Sequence, residues 1–282
     1  MAYKILTKKI LNPQIFLMEV EAPLVARKAE PGQFIILRTN EYGERVPFTI
    51  ADFDRKKGTV TIIVQVVGKT TQDMLKMQEG EYLSDFAGPL GIPTELAGIK
   101  KAAVIGGGLG TAIAYPQAKK LHSLGADVTV ITGFRNKDLI ILEDELKAVS
   151  DKLIITTDDG SNGLQGFVTD RLKEQIDAGE KFDKVIAIGP LVMMRAVCNL
   201  TEQYGIPTIV SMNPVMIDGT GMCGGCRVIV GGETKFACVD GPDFDGHKID
   251  WQAALNRQAM FRAHEKRTCE EGICRIGRSN NA

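Results

Sequence analysis

An aspartate and three cysteines lie close together in "DGTGMCGGCRVIVGGETKFAC", which runs from Asp218 to Cys238. Thiolates and carboxylates at short spacing on a glycine-rich loop are metal-ligating chemistry. Plant-type [2Fe–2S] sites use C-x₄-C-x₂-C and a distant fourth cysteine. Cys223 and Cys226 fit the second and third positions, Cys238 fits the distant one, and Asp218 stands where the first cysteine would be. A carboxylate binds iron as a harder donor than thiolate, and it must be deprotonated to do so. The spacing therefore predicts a [2Fe–2S] cluster held by Asp218, Cys223, Cys226 and Cys238. Two other readings stay open: Asp218 as a turn residue with Cys269 or Cys274 as the fourth ligand, and a zinc site.

A second chemical motif is "VIGGGLGT" at 104–111. A glycine turn between a strand and a helix lets backbone N–H groups approach a phosphate. Thr111 occupies the third glycine position of the usual fingerprint. The following strand ends in Arg135 rather than in the carboxylate that would hold an NAD ribose. Local residues thus leave NAD or NADP open, and Arg135 itself could be a ligand or a solvated charge. Earlier in the chain, "RVPFTI" (45–50) sets an arginine and a threonine hydroxyl beside Pro47 and Phe48. Such a segment could hold a pyrophosphate and shape the face of a flat ring. "VGKTT" (67–71) opens a helix with glycine and two hydroxyls, and "GPLG" (88–91) follows.

The elements that must carry these motifs fall into two patterns. Residues 1–98 read as short Val-, Ile- and Phe-rich strands broken by turns, with one helix near 69–78 whose Met74, Leu75 and Met77 form a packing face. From 99 to 213 apolar strands alternate with helices, which implies a doubly wound parallel sheet. A cysteine segment, 214–246, contains a short strand pair. A helical extension, 247–282, carries Trp251, Leu255, Met260 and Phe261 on one apolar stripe. The expected fold class is α/β plus all-β.

The 282 residues suffice for two ordinary domains, and 44% apolar with 24% charged content suits a water-exposed globular chain. A net charge of −1 argues against general nucleic-acid binding. No apolar run reaches the length of a membrane span, and no signal peptide is read at the N-terminus. Six cysteines in a chain this long suggest metal or redox work in the cytoplasm rather than a disulfide scaffold.

The order Arg-x-Pro-Phe-Thr, Gly-Lys-Thr-Thr, Gly-Pro-Leu-Gly and glycine-rich turn resembles the ferredoxin–NADP reductase superfamily. "TDDGSNGLQGFVTD" (157–170), "GPLVMM" (189–194) and the late cysteine segment narrow the resemblance to electron-transfer subunits of dihydroorotate dehydrogenase B and their relatives. Within that family, the extension and the altered cysteine motif resemble the small subunits of electron-bifurcating NADH-dependent ferredoxin:NADP oxidoreductases. The resemblance implies a six-stranded antiparallel FAD-binding barrel ahead of the nucleotide domain. It implies that Arg45, Pro47, Phe48 and Thr49 contact FAD, with Gly68, Thr70 and Thr71 at the pyrophosphate. It places Gly106, Gly107, Gly108, Gly110, Thr111, Asp158, Gly160, Gly189, Pro190 and Met193 around the nicotinamide nucleotide, and it favours NAD(H). It also implies a larger glutamate-synthase-like partner with further flavin and iron–sulfur centres, which exchanges electrons with ferredoxin. An alternative within the family is service to dihydroorotate oxidation.

No side chain is required as a catalytic nucleophile, because flavin chemistry resides in the cofactor. Cys198 reads as a buried small hydrophobe, and His122, His247 and His264 are too dispersed for a metal set. The stretch from Lys248 to Arg278 has seven Lys+Arg against four Asp+Glu and could dock the partner or simply be a solvated helix.

Overall fold

The computed structural model describes residues 2–260. Cys269, Cys274, His264 and Phe261 lie outside the described residues, as does most of the basic stretch. The first unit contains β1 (Tyr3–Asn12), β2 (Ile15–Glu21), α1 (Pro23–Ala26), β3 (Phe34–Arg38), β4 (Val46–Thr49), β5 (Asp52–Asp54), β6 (Thr59–Gln65), α2 (Lys69–Lys76), β7 (Tyr82–Leu83) and β8 (Asp85–Leu90). They form two antiparallel sheets, one in the order β5-β6-β2-β1-β7 and one in the order β4-β3-β8. Their core includes Phe16, Met18, Ile35, Leu37, Ile62 and Met74, with Leu75 and Met77 packed against it. The face expected of the α2 region is therefore a packing face.

The second unit contains β9 (Lys101–Gly107), α3 (Gly110–Ser123), β10 (Asp127–Phe134), α4 (Glu143–Lys147), β11 (Lys152–Thr157), α5 (Val168–Asp177), β12 (Lys184–Ile188), α6 (Leu191–Gln203) and β13 (Thr208–Ser211). These five strands are parallel, in the order β11-β10-β9-β12-β13. Successive side chains of β9 alternate between faces, as the strand period requires. Ala102 and Val104 enter the core under α3, whereas Ala103 and Ile105 enter the one under α5 and α6. Burial on both faces explains the continuous apolar runs read from the sequence.

The remainder adds β14 (Arg227–Val230), β15 (Glu233–Phe236), α7 (Ala237–Asp240), β16 (Asp243–Asp245) and α8 (Trp251–Ala259). β14 and β15 form the hairpin expected from the cysteine segment. It turns on Gly231 and Gly232, both at positive φ (60° and 82°), as a two-residue hairpin turn requires. β16 then pairs antiparallel with β13 and extends the parallel sheet. Trp251 and Leu255 of α8 pack on the core, but Met260 is 59% exposed, so the apolar stripe ends before it.

The Asp243 carboxylate on β16 is buried where the three parts meet. Its Oδ2 accepts hydrogen bonds from Thr94 Oγ1 (2.5 Å) and from Gln117 Nε2 of α3 (3.0 Å). Its Oδ1 has no hydrogen-bond partner among the described residues. Burial pushes the carboxyl up to about 6, against the pull of the Thr94 and Gln117 hydrogen bonds. The folded protein thus holds this proton to higher pH than the unfolded chain does. The Asp243 contribution to stability falls as pH rises from about 4 to about 6, by up to about 3 kcal/mol. Asp243→Asn keeps the shape without the charge. Its melting temperature should match the parent near pH 4 and exceed it at pH 7. Parallel melting-temperature curves for the two proteins across that range would refute the buried-charge account.

Candidate functional site

The glycine turn joins β9 to α3, beside the point where strand order reverses between β9 and β12. In open α/β sheets the crevice at that point takes the ligand. Close packing fixes most of the glycines. A Cβ on Gly110 would lie 2.2 Å from the Ile188 carbonyl oxygen, and one on Gly106 would lie 2.8 Å from Thr111 Cα. A Cβ on Gly107 would meet Met193 Sδ at 2.4 Å. Gly108 differs: its φ is +54° and nothing lies within 4 Å of its Cβ position. Its N–H donates to the Gly133 carbonyl (2.9 Å), which pins the turn to β10.

A cleft of about 980 Å³ opens between the first two units. Val46, Pro47, Phe48, Thr49 and Thr71 line one wall. Gly107, Gly108, Gly110, Asp158, Gly189, Pro190 and Met193 line the other. Most residues expected to bind cofactors are thereby brought together. Arg135 also lines the cleft, as do Gln14, Gln65, Asn213 and Gln258, which no sequence motif singled out.

Six expected residues do not line it. Gly106 and Thr111 pack beneath the turn, Thr111 fully buried. Gly160 (φ +73°) shapes the turn after β11. Gly68 opens α2, where the Thr71 hydroxyl accepts from the Val67 and Gly68 N–H groups (3.0 Å each). The Thr70 hydroxyl donates to Glu44 (2.7 Å). Arg45 turns toward the cysteine loop, donating from Nε to the Ile217 carbonyl (2.8 Å) and from a terminal nitrogen to the Asp218 carbonyl (3.2 Å).

The cysteine loop is folded by glycines at positive φ, among them Gly219 (79°), Gly221 (83°) and Gly224 (65°). It rests on the first unit: a Cβ on Gly219 would lie 2.7 Å from Ile36 Cδ1 and 2.8 Å from Leu90 Cδ1. Asp218 Oδ2 accepts from the Thr220 hydroxyl (2.7 Å) and from the Met222 N–H (3.1 Å). The neighbouring Cys223 thiol, and then the Thr220 hydroxyl, hold the Asp218 carboxyl well below the usual carboxylate range. Asp218 Oδ1 is buried with no hydrogen-bond partner among the described residues.

Cys226 and Cys238 form a second pair. The Cys238 N–H donates to Cys226 Sγ at 3.4 Å. Burial, then the contact with Cys226, pushes the Cys238 thiol well above the usual thiol range. The four donors therefore come as two pairs, Asp218 with Cys223 and Cys226 with Cys238. Among the described residues, no three His, Cys, Asp or Glu side chains group around a single ion.

The other singled-out residues are structural. Cys198 on α6 is 2% exposed, and burial pushes its thiol up to about 12. His247 Nε2 lies 3.0 Å from the Thr201 hydroxyl, and His122 sits in the last turn of α3.

Residues 213–250 match the iron–sulfur cluster binding domain of dihydroorotate dehydrogenase B, and residues 104–199 match an oxidoreductase NAD-binding domain. A dihydroorotate dehydrogenase B (NAD(+)) electron transfer subunit homolog of Thermotoga maritima is 42% identical, over 98% of this chain and 97% of its own length. The electron transfer subunit of that enzyme from Desulforamulus reducens is 31% identical over 88% and 97%. Among solved structures, a chain from a study of flavin-based electron bifurcation by NADH-dependent reduced ferredoxin-NADP oxidoreductase is 42% identical. It superposes with a TM-score of 0.91 over 97% of this chain and 99% of its own. Among the described residues, no helix is long and apolar enough to cross a membrane.

Exposure should order the thiol reactivities, since a buried thiol is neither reachable nor easily ionised. Cys223 is exposed whereas Cys198 is buried. In metal-free, reduced protein near pH 8, iodoacetamide should modify Cys223 at least about tenfold faster than Cys198. Peptide mass mapping over time reads the order, and equal rates would contradict the burial described.

Proposed function

We propose a function from one premise: this chain belongs to the family of dihydroorotate dehydrogenase B electron-transfer subunits. It is an oxidoreductase subunit that passes electrons between NAD(H), FAD and a [2Fe–2S] cluster. The carrying observation is spatial. One cleft has Val46–Thr49 on one wall and the glycine turn on the other, and the cysteine loop packs on the strand beside that wall. Pro47 is the register partner of Ile36, and Ile36 carries Gly219 of that loop.

When bound there, FAD would supply hydride exchange with NADH and one-electron release, and a [2Fe–2S] cluster would supply one-electron carriage. The chain's own residues bind and orient. Pro47, Phe48 and Thr49 form the flavin wall, with Arg45, Gly68, Thr70 and Thr71 toward its pyrophosphate. Gly107, Gly108 and Gly110 offer backbone to the nucleotide phosphates, and Gly106 and Thr111 pack the turn that presents them. Asp158, Gly160, Gly189, Pro190 and Met193 complete the nicotinamide side. Asp218, Cys223, Cys226 and Cys238 hold the cluster. The unpartnered, buried Oδ1 of Asp218 supports this assignment, because such an oxygen needs a hydrogen bond or a metal. The division of labour is 1–98 for FAD, 99–213 for NAD(H), 214–246 for the cluster and 247–282 as extension, within the cytoplasm.

Its relatives are electron transfer subunits, so this chain serves a partner subunit. Cys223 is exposed and its neighbour Met222 is 84% exposed, so the outer edge of the cluster loop faces solvent. The partner is a larger, glutamate-synthase-like subunit that links this chain to ferredoxin in an electron-bifurcating complex. The near-complete match to the bifurcating oxidoreductase chain supports this over service to dihydroorotate oxidation. The partner that co-purifies decides between them: a glutamate-synthase-like flavoprotein supports the proposal, and a dihydroorotate dehydrogenase barrel overturns it.

Two tests address the sites. Asp218→Cys should keep the cluster with shifted g-values in the EPR spectrum of the reduced protein, and Asp218→Ala should lose or destabilise it. A wild-type signal at full occupancy in both would remove Asp218 from the ligand set. Gly108→Asn is the second. Asn tolerates the left-handed backbone, and its side chain enters the open cleft. The KM for NADH should rise about tenfold or more while FAD stays bound. An unchanged KM would show that the turn does not hold the phosphates.

A further inference from the structure

Three arginines from three parts of the chain end on the cysteine loop. Arg45, just before β4, holds the Ile217 and Asp218 carbonyls. Arg227, opening β14, donates to the Gly224 carbonyl at 2.8 Å. Arg257 of α8 reaches back to the Gly225 carbonyl at 2.9 Å. The carbonyls held are those on the N-terminal side of the loop and those between Cys223 and Cys226. N–H groups of the same segment face the sulfurs: the Gly225 N–H donates to Cys223 Sγ at 3.4 Å, and the Cys238 N–H to Cys226 Sγ at 3.4 Å. A loop that turns its N–H groups toward an anionic centre leaves carbonyls that need donors from elsewhere. Each of those four carbonyls accepts from a guanidinium, although a neutral amide or hydroxyl would satisfy the same oxygens.

The choice of cation has an electrostatic consequence. Reduction adds one electron to a centre that its anionic ligands already make negative. Fixed positive charge nearby favours the reduced form, and more so where water is excluded. Arg257 is the best placed of the three for this, because it is half-buried and its Nε is fully buried with no hydrogen-bond partner among the described residues. Arg227 is exposed, so solvent screens its charge. Guanidinium groups stay charged at every working pH, so the bias is permanent. It also opposes the influence of Asp218, whose hard carboxylate favours ferric iron.

We propose that Arg227 and Arg257, with Arg45, act as positioning residues that hold the cluster loop and raise the reduction potential of the centre it carries. The proposal rests on the cluster reading above. Arg45 also belongs to the Arg-x-Pro-Phe-Thr motif, so the test uses the other two.

The experiment is an anaerobic, dye-mediated redox titration of the holoprotein, followed by EPR, with iron content measured on each sample. Arg257→Gln should keep its iron and make reduction about tenfold less favourable, a fall of about 59 mV for one electron. Arg227→Gln should shift the midpoint in the same direction by less. Arg257→Lys, which keeps the charge, should recover most of the loss. Unchanged midpoints in both Gln variants at full iron content would overturn the proposal. So would an Arg257→Lys midpoint as low as that of Arg257→Gln, because packing rather than charge would then be responsible. If Arg257→Gln loses its iron, the exposed Arg227→Gln decides alone: a lowered midpoint supports the proposal and an unchanged one overturns it. A parent protein without iron fails the functional reading instead, which separates the two failures.

Discussion

The arrangement depends on β3 being buried on both faces. Ile35 and Leu37 fill the core of the first unit. Phe34 and Ile36, pointing the other way, join the core that also contains Cys226, Cys238 and the α5–α6 side of the parallel sheet. A strand's side chains alternate, so this one strand fastens two cores back to back. Gly219 exists as glycine because Ile36 and Leu90 leave no room for a side chain. The cysteine loop is thus seated against the unit that carries the proposed flavin wall, on Ile36, the register partner of Pro47.

The second constraint is the return of the chain after the loop. β16 pairs with β13 and so ties the end of the cysteine segment to the nucleotide sheet. Gly91 packs against Gly241 and Pro242, and the Ile92 N–H donates to the Gly241 carbonyl at 2.6 Å. Asp243 then joins Thr94 to Gln117 of α3, the helix that begins at the glycine turn. Ion pairs reinforce the same contact from outside, with Lys119 of α3 on Asp52 of β5 (2.7 Å). The two walls of the cleft and the loop behind it are held by one continuous set of contacts. Electron transfer needs such fixed spacing more than it needs any acid or base.

Much of this was legible in the sequence. The glycine turn, the alternation of strands and helices and the cysteine spacing each follow from a local physical requirement, and local requirements leave local patterns. The hairpin around Gly231 and Gly232 is a clear instance. Long-range packing left weaker traces. β1 shows almost no alternation, with Ile5 buried but Leu6 and Ile10 exposed, so its length could not be read from pattern. β16 is three residues long and is defined by its pairing with β13 rather than by its own composition. Arg45 was read from its motif as a flavin contact, whereas its visible partners are carbonyls more than 170 positions later. Gln258 and Asn213 reach the cleft from segments with no motif at all.

The central claim is that electrons from NADH reach the cluster through the cleft of this chain. An anaerobic titration of the purified protein with NADH, followed by visible absorbance and EPR, tests it most directly. NADH should bleach flavin absorbance and bring up the EPR signal of a reduced [2Fe–2S] centre in the same sample. A colourless, zinc-loaded protein that NADH does not change would contradict it.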